Sequence, residues 1–216
     1  MTARLAAVAA LAVAALAGCA LGSKATPLEF HYFSAESPAA AAAQSRAPAA
    51  GAPRLRLGQV TAADYLRYRI VHRESAWSVD PYETLRWAEA PRDYVRRALI
   101  RALFDSGALA QVVGGAAPAL DVEITAFEEV ARPGGHAGRV QLTYRLHDDQ
   151  VVIARGTVTA ERPARGSGMD AVAAAIGAAM DEASGELAGR VVPRLRAPPE
   201  PAPAEPAPAG SPAAAR

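Results

Sequence analysis

Four histidines, one cysteine and the acid pairs Glu128-Glu129 and Asp148-Asp149 are the residues here whose types could support chemistry, and their spacing limits what that chemistry is. His31, His72, His136 and His147 are far apart, and no two fall at the spacing by which one element presents a pair of metal ligands. Glu128-Glu129 and Asp148-Asp149 fall at predicted strand ends and turns, where solvated acids are ordinary. The paired glycines of "VVGGAAP" and "RPGGHAG" do not form Gly-x-Gly-x-x-Gly opening a helix, and the phosphate loop GxxxxGK[ST], HExxH and GxSxG are all missing. Ser167, in "RGSGM", is accounted for by a turn and a helix cap. The reading is therefore a protein that is not an enzyme, with no cofactor and no metal. Cys19 is the one residue whose surroundings match a specific chemistry; being the only cysteine, it excludes an internal disulfide.

Cys19 closes a three-zone N-terminus. Arg4 supplies positive charge, Leu5 to Leu16 is an uncharged apolar run, and Ala17-Gly18 are the small residues a signal peptidase accepts. Twelve residues reach only ~18 Å as a helix, short of the ~30 Å hydrocarbon core, so the run is a signal-peptide core and not a retained span. Leu16-Ala17-Gly18-Cys19 resembles the bacterial lipobox, in which the thiol receives a diacylglyceryl group and cleavage makes the cysteine the new N-terminus. Two or more acyl chains give a durable anchor, at ~0.8 kcal/mol per buried methylene. Ala20 in the position after the cysteine, where Asp would retain the protein at the inner membrane, favours the outer membrane by the same resemblance.

The rest of the chain must hold a folded body at that anchor. With 23 basic and 22 acidic residues the net charge is +1, so no whole-chain field points to nucleic acid. The expected organisation is a signal peptide at 1–18, lipidated Cys19 with a flexible tether to residue 53, an α+β body at 54–195 and a Pro/Ala-rich disordered tail at 196–216. "FHYF" at 30–33 is a possible short strand within the tether. Three strands are predicted in 54–60, 67–73 and 82–87. A helix then starts at Pro91, with an apolar stripe of Val95, Ala98, Leu99, Ala102 and Leu103 and Gly107 as its stop. On its other face Asp93 is placed to pair with Arg97. A short strand at 110–113 and an antiparallel meander of strands at 119–127, 139–147 and 151–161 follow. Ser167 and Asp170 open a last helix over 169–190 in capping-box fashion, with Pro193 as its end. The fold class is α+β: one mainly antiparallel sheet carrying two helices. Arg67, Arg69, Arg73, Arg92, Arg96, Arg97 and Arg101 are read first as solvated faces, and second as a basic surface for headgroups or an acidic partner.

Residues 55–113 carry a more specific signal. Leu55-Arg56-Leu57-Gly58-Gln59-Val60, Tyr65-Leu66, Ile70-Val71-His72-Arg73 and Arg86-Trp87-Ala88-Glu89-Ala90-Pro91 match in order and spacing a pattern of strand, Tyr-Leu connection, "IV-x-R" strand and "RWAEP" before a helix. The chain thereby resembles the ABC-type transport auxiliary lipoprotein family, PqiC-like group. Ala90 is inserted relative to that pattern and Asp80-Pro81 departs from it, both in loops.

The resemblance implies a fold similar to the TolB N-terminal domain and a non-catalytic lipoprotein working with an ABC transporter whose periplasmic subunit carries an MCE (MlaD-like) domain. Such systems move lipids or other hydrophobic molecules between the two membranes, and members assemble into homo-oligomeric rings. Tyr65, Trp77, Tyr82 and Trp87 are the candidate interface residues; packing beneath the first helix is the plainer role for Trp87, which leaves Trp77 the stronger interface residue. The alternative is a structural lipoprotein that assembles or stabilises an envelope complex without handling lipid.

Overall fold

A computed structural model describes residues 27–36 and 44–196. The chain divides into two units, 1–30 and 31–216. Of the first, only the irregular, exposed residues 27–30 are described, so the signal peptide, Cys19 and the proline-rich tail lie outside the described residues.

The second unit contains β1 (His31–Phe33), β2 (Arg54–Ala62), β3 (Arg69–Arg73), β4 (Asp80–Trp87), α1 (Pro91–Phe104), β5 (Ala110–Gln111), β6 (Ala119–Arg132), β7 (Gly135–His147), β8 (Val152–Pro163) and α2 (Met169–Arg196). That is the expected order of elements. α1 forms where its stripe predicts: Val95, Ala98, Leu99 and Leu103 are buried, with Pro91 opening the first turn. α2 runs further than expected, because Pro193 sits inside it and its loss of one backbone bond falls in the exposed last turns. Its first turn is closed by the Val172 N–H on the Gly168 carbonyl, so Gly168 and not Ser167 flanks the start.

The sheet is mixed, not mainly antiparallel. β6–β7 and β7–β8 form the expected antiparallel meander, and β3–β4 is antiparallel too. But β2 and β3 both run parallel to β6, end to end along one edge: β2 beside its first half and β3 beside its second. β1 adds parallel to β4, and β5 parallel to β2. A bulge at Thr125 shifts the β6 register, so Ile124 and Phe127 point to the same face.

The two helices cover one face. α2 lies on β7 and β8, and α1 on β2, β6 and α2. The core between them is built from Leu120, Ile124 and Phe127 of β6, Val140, Leu142 and Leu146 of β7, and the apolar stripes of both helices. Gly138 lets α2 approach closely: a Cβ there would lie 2.3 Å from the Ile176 backbone nitrogen. The other face of β6–β8 is uncovered and polar, laddered by Thr125, Gln141 and Thr159 and by Thr143 with Thr157.

The stretch expected to be a flexible tether is attached at residues 31–36 and again at Arg46 and Ala49. Ala35 is buried, its carbonyl oxygen so close to α2 that a Cβ on Gly177 would stand 2.3 Å from it. Glu36 accepts from Arg97 at 3.2 Å and from Arg101 at 3.4 Å. Further on, Arg46 and Ala49 donate backbone bonds to Asp105 and Gly107, just past α1.

Candidate functional site

The four aromatic candidates do not form one surface. Trp87, at the end of β4, is 1% exposed and packs edge-on against Phe127 (5.2 Å) and Tyr94 (6.3 Å). It belongs to the core and offers nothing to a partner, which corrects its candidacy. Tyr82 is half-buried; its hydroxyl donates to Glu129 Oε2 at 2.6 Å and its ring packs on His72 at 4.6 Å. Burial, and then the Glu129 carboxylate, push its phenol well above the ordinary tyrosine value.

Tyr65 and Trp77 remain at the surface. Tyr65 is 42% exposed, and its hydroxyl donates to the Thr125 carbonyl at 2.7 Å, at the bulge. Burial is the main cause that raises its pKa, with the nearby Glu128 charge second. Three residues on, Tyr68 is exposed too, and it lines a groove of about 440 Å³ between the end of β2 and the start of α1, together with Val60, Ala62, Leu66, Arg67 and Arg92. Spacing could not reveal this groove, because it exists only where β2 leaves β6 and β3 takes its place. Trp77, on the tip joining β3 to β4, is 96% exposed. That tip is braced from within: Trp77 N–H bonds Ser75 Oγ, Ser78 Oγ bonds Asp80, and Arg73 reaches the Ala76 carbonyl.

The acids at 128–129 are buried, not solvated. Glu128 is fully enclosed and held by two bonds from Arg73, at 2.7 and 3.2 Å, with Arg139 at 3.8 Å. Glu129, on the opposite face, is taken by Tyr82 and by His136 at 2.6 Å. The other histidines are also apart: His147 meets Asp121 at 3.0 Å, His72 meets Glu74 at 3.9 Å, and His31 is exposed on β1. No group of three or more metal-ligating side chains occurs among the described residues.

The arginine set is only partly available as a basic face: Arg67, Arg69 and Arg92 are exposed, and the rest are engaged. Arg73 serves Glu128, Arg101 reaches Asp181 and Glu36, and Arg96 bonds the Gly58 carbonyl. Arg97 pairs with Glu89 (2.7 Å) and Glu36, not with Asp93, which instead lies 3.7 Å from Arg92. The described surface thus carries exposed aromatic rings at Tyr32 on β1, at Tyr65 and Tyr68, and at Trp77.

The family model described as "ABC-type transport auxiliary lipoprotein component" matches residues 36–188. A crystal structure of a Xanthomonas campestris protein is 24% identical, covers 77% of this chain and 97% of its own, and superposes with a TM-score of 0.62. A second solved structure, described as an uncharacterized protein, is 17% identical, with coverage of 76% and 99% and a TM-score of 0.58. These likenesses show the fold. Among curated protein sequences nothing matches. No helix among the described residues is long and apolar enough to cross a membrane.

Proposed function

Because the chain belongs to the ABC-type transport auxiliary lipoprotein family, we propose that it is the membrane-anchored auxiliary subunit of an MCE-type ABC transport system. Acyl chains on Cys19 hold it on the periplasmic side of the envelope, at the outer membrane. Its partner is the periplasmic MCE-domain subunit of the transporter, and the cargo is a lipid or similar hydrophobic molecule passing between the membranes. The observation that carries this reading is the family match over residues 36–188, which begins just after a lipobox-like N-terminus.

The subunit acts by position. His31 follows Cys19 by only twelve places, so the sheet stays within ~40 Å of the anchor even at full extension. At that short range Tyr65, Tyr68 and the adjoining groove are the surface for the periplasmic subunit. Several copies arranged as a ring would surround a single route for cargo.

The test has two arms. Cells fed labelled palmitate should label the native chain and not Cys19→Ser, and only the native chain should fractionate with the outer membrane. Co-purification with native protein, but not with Tyr65→Ala/Tyr68→Ala, should recover an MCE-domain subunit. Labelling without that capture would leave a lipid-anchored structural protein and reject the transport role; no labelling would reject the anchor itself.

A further inference from the structure

We infer that the end of the sheet carrying Trp77 faces the bilayer, with the Trp77 indole seated among the lipid headgroups; this rests on the acylation of Cys19 proposed above. Four features of the chain meet at that end. β3 runs parallel to β6, and the pair Arg73–Val130 is its last, so the Trp77 tip lies beside the β6–β7 turn at Pro133-Gly134. β8 finishes there too, with Pro163 opposite Ala137, and the 164–168 loop leads into α2. Finally β1 runs parallel to β4, which descends from the Trp77 tip. The N-terminal end of β1 therefore lies toward the tip and not toward the far end of the sheet.

The distances agree. His31 is level with Leu85, five residues along β4 from its first residue, Asp80. At ~3.3 Å per residue the tip stands ~17 Å or more beyond His31. The twelve places between Cys19 and His31 correspond to ~20 Å root-mean-square for an unstructured chain, and ~40 Å at most. Acyl chains in the membrane and an indole at its surface fit one placement of the domain without stretching the connection.

The chemistry selects a lipid interface over a charged partner. A tryptophan that is 96% exposed, on a tip whose polar groups are bonded to one another, presents an apolar ring with one N–H donor. That is the amphipathic shape found at the headgroup level of membranes. Charged groups at this end are mostly engaged: Arg132 pairs with Glu161 at 2.6 Å, and the His136 and His72 rings lie 2.6 Å and 3.9 Å from Glu129 and Glu74. Arg165 has no partner among the described residues, and Asp80 receives the Ser78 hydroxyl. Binding at this end thus depends on the indole and only weakly on anionic lipid.

The chain's own tryptophans provide the test, since the second, Trp87, is buried. The full-length lipidated protein is placed in vesicles of phosphatidylethanolamine and phosphatidylglycerol with brominated acyl chains, and its fluorescence is compared with that in unbrominated vesicles. The expected result is a shift to shorter wavelength and quenching of the Trp77 component, both absent in lipidated Trp77→Ser, which keeps only the unquenched Trp87 signal. If the acylated protein inserts and Trp77 remains red-emitting and unquenched, the orientation is overturned while the anchor stands. If Trp77 responds only when the MCE-domain subunit is added, the tip is a protein contact and the inference fails. Absence of acyl chains on the purified protein, read by mass spectrometry, would instead overturn the reading on which this one rests.

Discussion

Replacing Gly138 by alanine tests whether α2 is seated on β7 as closely as the backbone indicates. Gly138 is paired to Glu129 on one side and Arg162 on the other, in the middle of the sheet. A Cβ added there would lie 2.3 Å from Ile176 N, 2.5 Å from Ala175 C and 2.6 Å from Ile176 Cα. All three are backbone atoms of α2, and ordinary contact begins near 3.4 Å, so the helix must lift by about 1 Å. Overpacking of this kind costs ~1–3 kcal/mol. Against it stands a gain of ~0.4–1 kcal/mol, because alanine narrows the unfolded ensemble at a position with extended backbone. The net expectation is a loss of ~1–2 kcal/mol, or ~2–8 °C in melting temperature. Gly156→Ala is the control: its Cβ would meet the Tyr144 ring at 3.2–3.3 Å, a side chain able to give way, and its stability should stay within ~0.5 kcal/mol of the parent. Urea unfolding of full chains carrying Cys19→Ser, with equal m-values, reads both. If Gly138→Ala unfolds with the parent, or if the two variants lose the same amount, the close seating of α2 is refuted.

Three further outcomes are expected. Arg73→Met leaves the fully enclosed Glu128 carboxylate without its main partner and should lose ~3–5 kcal/mol in urea unfolding, whereas Arg73→Met/Glu128→Leu should recover most of that; equal losses would contradict it. Trp87→Ala should lose ~3–5 kcal/mol as a core cavity, while Trp77→Ala should stay within ~0.5 kcal/mol; similar values for the two would overturn the division between core and surface tryptophan. The raised phenols of Tyr65 and Tyr82 hold their protons more tightly in the folded chain than in the unfolded one. Their contribution is complete below the unfolded value of about pH 10 and disappears as pH climbs through the folded values. Urea midpoints should therefore fall above about pH 10, with a shallower fall in Tyr82→Phe.

Periodicity made the elements legible, but not their neighbours. The stripe of Val95, Ala98, Leu99 and Leu103 marks α1, and the alternation of Val140, Leu142, Tyr144 and Leu146 marks β7, because each pattern reports a buried face. A buried face does not say which strand lies alongside. Parallel pairing of β2 and β3 with one edge of β6 joins residues more than fifty places apart, such as Arg73 and Val130. That gap explains the misreading of Glu128 and Glu129: adjacent acids at the end of an apolar strand look solvated until Arg73 and Tyr82 arrive from β3 and β4. It also explains Arg97, whose partner Glu36 comes from a proline-flanked stretch with no apolar period. The bulge at Thr125 was hidden for a different reason, since one extra residue in β6 turns Ala126 away from the helix-covered face without altering the composition.

The attachment of residues 33–36 changes how a membrane anchor would act on this domain. Were these residues free, a pull at Cys19 would be taken up along a long tether, and the orientation of the sheet would be undefined. Instead the pull arrives at β1, whose register to β4 runs His31–Leu85 to Phe33–Trp87. Next comes Ala35, closed against Gly177 of α2, and then Glu36 between Arg97 and Arg101 of α1. The sheet and both helices therefore share the load within six residues. α2 carries it away from the anchor: Ile176 sits over Gly138 near the Trp77 end, and Arg190 donates to the Thr157 carbonyl further along β8. With the Trp77 end at the bilayer, the C-terminal end of α2 and the exposed Val113, Val151 and Val152 point into the periplasm. Held this way by one short N-terminal connection, the domain would turn the Tyr65–Tyr68 surface proposed for the transporter subunit sideways to the bilayer, because that surface lies where β2 gives way to β3 midway along β6.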